Sequence, residues 1–239
     1  MARQLIRKLL AEFVGALTLI FIGAGSQVAV STGVVGAGLV TIALAHGLAI
    51  ATMVSAVGHV SGGHFNPAVT IGALVTGKID PRDAAAYVVS QLTGAATGAA
   101  LLAWSVPESI WRKISLGTPA VSRVTDAQAV LIEAVLTFFL VWVVFATAID
   151  EEGAFGKVAG LAIGFVITMD VLAGGPFTGA AMNPARAFGP ALLSGFWVGH
   201  WVYWVGPIAG GVVAAGLYQL GVLAPATKRP PRRKARSRR

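Results

Sequence analysis

The chain has no cysteine and little charge. Without thiols there is no disulfide framework, no thiolate metal site and no cysteine nucleophile. Charged residues make up 12% of the 239 residues, well below the roughly 25% of an ordinary soluble domain. Hydrophobic residues make up 56% and the mean hydropathy is +0.76, which excludes a soluble domain and points to a membrane protein. Four histidines and no recognisable set of nucleophile, base and orienter leave no catalytic centre, metal site or cofactor to assign, so an enzyme is not expected. Acids are scarcer than bases, 10 against 18, for a net charge of +8. Eight of the basic residues and none of the acids fall in 226–239, so the rest of the chain is neutral. The basicity is a tail and not a surface, and nucleic acid is not an expected partner. The first apolar stretch follows Arg3, Arg7 and Lys8 but has no small-residue cleavage site after it, so it reads as a retained span.

What remains is apolar sequence in long runs. A hydrocarbon core about 30 Å thick needs roughly 20 apolar residues per spanning helix. Six segments qualify: 8–30, 34–57, 84–104, 127–149, 158–172 and 197–223. With Arg3, Arg7, Lys8, Lys78, Arg82 and the tail on one side, both termini are expected to be cytoplasmic, against a weak opposing signal from Arg112, Lys113 and Arg123. Two further apolar segments, 67–76 and 184–193, are too short to span, because ten helical residues rise only about 15 Å. They read as re-entrant half-helices. Each begins Asn-Pro-Ala, with Asn as an N-cap and Pro at the first helical position, where its missing N–H is not needed.

The two halves repeat. Asn66-Pro67-Ala68 and Asn183-Pro184-Ala185 lie 117 residues apart, an offset that also carries Gly47 onto Gly164 and Val54 onto Val171. Glu12 and Glu133 are 121 apart, and Gly94 and Gly206, each opening a Gly-x-x-x-Gly with Gly98 and Gly210, are 112 apart. Three spans per half force the second half into the opposite orientation, so one half-helix enters from each side and their N-termini meet near the midplane. The glycines permit close helix crossings. The expected fold is an all-α membrane protein with six transmembrane helices and two re-entrant half-helices in inverted repeats, about 5–115 and 126–223. It forms a single channel domain over 1–225, followed by a disordered cytoplasmic tail at 226–239 whose basic residues can meet anionic lipid headgroups.

The duplicated Asn-Pro-Ala motifs, the Ser61-Gly62-Gly63-His64 approach to the first, Arg186 after the second and Gly189-Pro190 beyond it resemble the aquaporin, or major intrinsic protein, family over essentially residues 5–223. The resemblance implies a right-handed six-span bundle in the lipid bilayer, a pore in each protomer, a homotetramer, and water and small neutral solutes as cargo.

Such a pore must pass water and stop protons. A half-helix N-terminus presents about half a positive charge, so two aimed at one point oppose cations. If the oxygens of Asn66 and Asn183 cap their own helices, the two NH2 groups stay free to donate to a passing oxygen and interrupt a proton wire. The approaches at 59–65, which carries His64, and 174–182 read as extended, glycine-rich and lining a water-filled path, the one setting that tolerates irregular backbone at membrane depth. Glu12 and Glu133 sit in apolar spans and must be paired. Either they relay protons or, as the resemblance implies, each accepts backbone N–H groups of a re-entrant loop.

The resemblance puts the selectivity filter at His46, Val171, Ala180 and Arg186. These residues, with Leu172-Ala173-Gly174-Gly175 and the segment 200–206, are similar to the tonoplast intrinsic branch. Small, apolar Val171 and Ala180 leave a wall open to ammonia, urea or hydrogen peroxide beside water. Arg186 offers five fixed donors and a permanent charge; His46 is either a pore donor and partner of Arg186 or a neutral core histidine. Ala187 where glycerol facilitators carry an acid, together with bulky Tyr203 and Trp204, disfavours a glycerol-type facilitator. Asp170 either has a function of its own or bonds the backbone of 174–182. A proton-coupled secondary transporter is the rival class, with Glu12, Glu133 and Asp170 as its coupling residues. The host membrane is expected to be the cell membrane, the tonoplast-like residues leaving a vacuolar one open. With no cysteine, water flux through the purified protein in liposomes is expected to be insensitive to mercurials at thiol-directed doses; inhibition would contradict this.

Overall fold

The computed structural model describes residues 2–34, 36–150 and 158–223, so the basic tail expected at 226–239 lies outside the described residues. The first span runs as α1 (Ala2–Thr18), a π-helical turn (Leu19–Ala24) and α2 (Gly25–Ser31) without a break. It is followed by α3 (Gly38–Ser61), the half-helix α4 (Pro67–Val75), α5 (Pro81–Ser105), a short α6 (Glu108–Trp111) and a 3-10 turn (Arg112–Gly117). The second half comprises α7 (Asp126–Val144) with a π-helical end (Phe145–Ile149), α8 (Ala159–Thr178), the half-helix α9 (Pro184–Ser194) and α10 (Val202–Gly221). No strand occurs among the described residues.

The local grammar explains the boundaries. Asn66 and Asn183 both sit in extended conformation and cap α4 and α9 with their side chains, with Pro67 and Pro184 in the first turn. A capping box of Thr125 and Gln128 starts α7. Several expected boundaries shift, the first span starting earlier, at Ala2, and the second ending later, at Ser61. The second span begins at Gly38 and not at 34, because the chain turns with Ala37 in the left-handed region (φ 60°). The fifth does not stop at 172 but continues to Thr178 through Pro176, so the irregular approaches shrink from 59–65 and 174–182 to Gly62–Phe65 and Gly179–Met182. A buried carboxylate ends no helix if its backbone ladder is intact, and Gly179 (φ 79°) supplies the actual left-handed stop. The sixth begins at Val202, with 198–201 forming turns.

Five of these helices are long and apolar enough to cross a membrane: Arg3–Ser31, Gly38–Ser61, Pro81–Ser105, Asp126–Ile149 and Ala159–Thr178. α10 has the length, 20 residues, but Tyr203, Trp204, Pro207, Tyr218 and Gln219 dilute its apolarity. Large apolar side chains such as Leu48, Phe165 and Leu220 point outward (59%, 68% and 86% exposed), while Ala43, Ala95, Ala99, Ala129, Ala214 and Ala215 are wholly buried. Small residues inside and large ones outside is the arrangement of a bundle packed by close contact in lipid.

The packing carries a pseudo-twofold relation. α1 packs on α5 as α7 packs on α10, and each half-helix lies against the third span of the opposite half, α4 on α10 and α9 on α5. α3 crosses α8 at the axis, where Gly47 and Gly164 are reciprocal: a Cβ built on either would stand 2.5 Å from the other's carbonyl oxygen. Likewise a Cβ on Gly94 would meet the Phe13 carbonyl, and one on Gly210 the Ala134 carbonyl, so the repeat pairs Gly94 with Gly210 and not, as expected, with Gly206, one helical turn earlier. Gly210→Ala should therefore lower the unfolding temperature in detergent, at a cost of about 1–3 kcal/mol from overpacking. Gly216→Ala on the same helix, where nothing lies within 4 Å, should be neutral or stabilising. Intrinsic tryptophan fluorescence on heating reads both, and an unchanged Gly210→Ala protein would contradict the close crossing.

Candidate pore and selectivity site

Two buried carboxylates organise the centre. Glu12 and Glu133 are completely enclosed, and among the described residues neither has a cationic partner within bonding distance. Instead Glu12 Oε1 accepts from Ser61 Oγ at 2.7 Å and His64 N at 3.0 Å, and Oε2 from Phe65 N and Gln91 Nε2, each at 2.7 Å. Glu133 repeats the pattern: Oε1 accepts from Thr178 Oγ1 at 2.7 Å and Ala181 N at 2.9 Å, Oε2 from Met182 N at 2.7 Å. A tyrosine finishes each anchor, Tyr87 donating to the Ser61 carbonyl at 2.9 Å and Tyr203 to the Thr178 carbonyl at 2.8 Å. Of the two readings of these acids, the geometry is that of a loop anchor.

The anchored loops are bent against their preference. Phe65 and Met182, each one residue before an Asn-Pro-Ala, hold φ of 48° and 52°, and Ala180 holds 44°. L-residues pay for that conformation. It turns the Phe65 and Met182 N–H groups to the carboxylates and their carbonyls to the opposite half: Asn66 Nδ2 donates to Met182 O at 2.8 Å and Asn183 Nδ2 to Phe65 O at 2.9 Å. The asparagine oxygens cap as expected, Asn66 Oδ1 on Ala68 N (2.8 Å) and Asn183 Oδ1 on Ala185 N (2.9 Å) and Arg186 N (3.2 Å). The expectation that both NH2 groups are free is corrected: one N–H of each is committed to the cross-link. Since an amide nitrogen has two, one donor per asparagine is left for a solute.

A single cavity brings the expected residues together. Asn66, Asn183, His46, Val171, Ala180, Arg186 and His64 all line it, along with Gly63, Ala181 and Met182 of the loops. The facing wall is apolar, built from Leu19, Ile50, Val69, Leu140, Val144, Ile163 and Ile167. Single-file water would thus meet donors and carbonyls on one side and hydrocarbon on the other. Pro67, Ala68, Pro184 and Ala185 do not reach the cavity; they are buried in the first turns of α4 and α9.

His46 Nδ1 lies 2.8 Å from Ile42 O in its own helix, so that nitrogen carries the proton and Nε2 is an acceptor. Its ring rests against Gly23 in the π-helical turn of the first span, where a Cβ would come within 2.7 Å of Nε2. It makes no hydrogen bond to Arg186, so of its two readings the partnership with Arg186 is not the one formed. The guanidinium, buried to 2% exposure, is held by Gly117 O (Nη1, 3.0 Å) and the Gln27 amide oxygen, while Nε has no protein partner. His64 Nδ1 sits 3.1 Å from Thr70 Oγ1, to which Gln91 also donates.

Tyr203 supports the 178 carbonyl and Trp204 donates to His200 Nε2 at 3.1 Å, and neither lines the cavity. Asp170 is buried, yet its Oδ2 has no hydrogen-bond partner; it does not bond the 174–182 backbone. Ser61 with Thr178 and Tyr87 with Tyr203 were detectable from the repeat, at offsets of 117 and 116. Gln27, Gly117, Thr70 and Gln91 had no sequence signal, since they act across separations that no motif spans.

Comparison with known proteins agrees with this geometry. The family model for the major intrinsic protein matches residues 1–218. Aquaporin TIP4-4 of Zea mays is 47% identical over 221 residues, covering 89% of this chain and 85% of that protein. Probable aquaporin TIP3-2 of Arabidopsis thaliana is 45% identical over 237 residues, covering 95% and 87%. Among solved structures, the aquaglyceroporin from Plasmodium falciparum superposes with a TM-score of 0.80 at 24% identity, covering 92% of this chain and 97% of that one, and so shares the fold. The chain is a multi-pass integral membrane protein and belongs to the major intrinsic protein family, the aquaporins.

Proposed function

We propose that this aquaporin is a passive channel for water that also admits small neutral solutes such as ammonia, urea or hydrogen peroxide, and that it excludes protons and ions. The observation that carries the reading is the meeting of two half-helix N-termini in one cavity, each asparagine cross-linked to the opposite loop and left with one donor N–H. Helix dipoles oppose cations there, and the remaining donors orient a water oxygen so that its hydrogens point away from the centre. Val171 and Ala180 offer no donor at the constriction, which supports solutes larger or less polar than water. A channel and not an enzyme fits aquaporin relatives.

The rest of the assignment follows the same logic. Residues 1–225 act as one channel domain of two inverted repeats, and both termini face the cytoplasm on the distribution of Lys and Arg. The outward-facing apolar helices suit lipid and the neighbouring protomers of a homotetramer. The cell membrane is the expected host, with a vacuolar one as the alternative on the TIP likeness.

Reconstituted protein should shrink liposomes rapidly after a hyperosmotic step, with a weak temperature dependence, when followed by stopped-flow light scattering. Shrinkage at the rate of empty vesicles with folded protein would overturn the water channel, and flux that follows an imposed proton gradient would favour a coupled transporter. Ammonia should alkalinise dye-loaded vesicles faster than empty ones, and Val171→His, which adds a polar ring to the constriction, should slow ammonia relative to water. Alkalinisation at the empty-vesicle rate would remove ammonia from the solute range.

A further inference from the structure

Among the described residues Arg186 is the one Lys, Arg, Asp or Glu that lines the cavity, and a residue of the first span is one of the two that hold its guanidinium. Gln27 lies on α2, just past the π-helical turn, 159 residues from Arg186. With its amide oriented to satisfy both neighbours, the oxygen accepts from Arg186 Nη2 at 3.2 Å and the nitrogen donates to Gly117 O at 2.8 Å. The same Gly117 oxygen accepts from Arg186 Nη1 at 3.0 Å. The three groups therefore close a ring: Gln27 to Gly117, Gly117 to Arg186, Arg186 back to Gln27.

An independent feature shows that these parts are fitted together. Gly117 holds φ of 72°, which a side chain resists, and a Cβ there would stand 2.5 Å from the Gln27 amide. The 3-10 turn thus comes close enough to offer its carbonyl only because residue 117 is glycine. The repeat has no second copy: the offset that relates Glu12 to Glu133 carries Gln27 onto Ala148, and the offset of the Asn-Pro-Ala motifs carries Arg186 onto Val69. The ring serves the arginine side of the pore alone.

We propose that Gln27 is a positioning residue for Arg186 and thereby sets the solute cut-off of the channel. Two acceptors, the Gly117 carbonyl on Nη1 and the Gln27 amide oxygen on Nη2, hold the guanidinium in place at the cavity wall. Removal of the Gln27 acceptor leaves the group tethered by the Gly117 carbonyl alone, free to swing and to widen the constriction. Specificity rather than raw flux is the quantity it governs.

The inference rests on Arg186 forming the constriction, so the experiment carries Arg186→Val as a control. Water and urea permeabilities are measured on the same proteoliposomes, and their ratio is compared for wild type, Gln27→Met, Gln27→Leu, Gln27→Glu and Arg186→Val, each checked for folding by its unfolding temperature. Met and Leu fill the volume without an acceptor and should raise urea relative to water several-fold; Glu keeps the acceptor and should hold the ratio at or below that of wild type. A raised ratio in Arg186→Val with an unchanged ratio in Met or Leu, or a raised ratio in Glu, would overturn the role of Gln27 alone. An unchanged ratio in Arg186→Val would overturn the constriction and the inference with it.

Discussion

Each half of this molecule turns on one buried carboxylate. A glutamate in an apolar span is tolerable only if its charge is met, and here the loop that precedes each half-helix meets it with hydroxyl and backbone N–H donors in place of a cation. The dependence runs both ways. Without the carboxylate, N–H groups of Phe65 and Met182 would be unpaired at membrane depth, at about 1–3 kcal/mol each, and nothing would hold these residues at positive φ. Their carbonyls would then not face the opposite asparagines, and the two half-helices would lose their cross-link. Pore chemistry is thus a consequence of how two acids are neutralised.

On this symmetric frame the two mouths differ. In the first half Glu12 is joined through Gln91 and Thr70 to His64, which lines the path. In the second half the counterparts of Thr70 and Gln91 are Ala187 and Pro207, and the polar investment moves to Arg186. Glycine allows this crowding: Gly23 makes room for His46, and the reciprocal Gly47 and Gly164 bring α3 and α8 together at the axis. His64 and Arg186 depart from the repeat, and the loop anchors obey it.

Much of this was legible in the sequence, because the repeat is written in residue types whose chemistry is local. Asn-Pro-Ala caps its own helix, a Gly-x-x-x-Gly face marks a crossing, and an acid in a span demands donors from the nearest irregular segment. Length limits set by the bilayer separated half-helices from spans. Sequence reasoning failed where tertiary contacts overrode local grammar. Asp170, Gly174, Gly175 and Pro176 read as the end of a helix that in fact continues to Thr178. Tyr203 read only as a bulky aromatic, and it is a strut under the loop. His46 was one candidate partner of Arg186, yet the arginine takes its partners from Gln27 and Gly117, far away in the chain.

The central claim is that Glu133 holds the second loop and so forms the path. Glu133→Gln tests it most directly, since the side chain keeps its size but turns an NH2 group toward backbone N–H donors that require an acceptor. Osmotic water permeability of proteoliposomes, normalised to incorporated protein, is the measurement. The account predicts that most of the water flux is lost; flux equal to wild type would show that the loop and its asparagine stand without the carboxylate, and would contradict it.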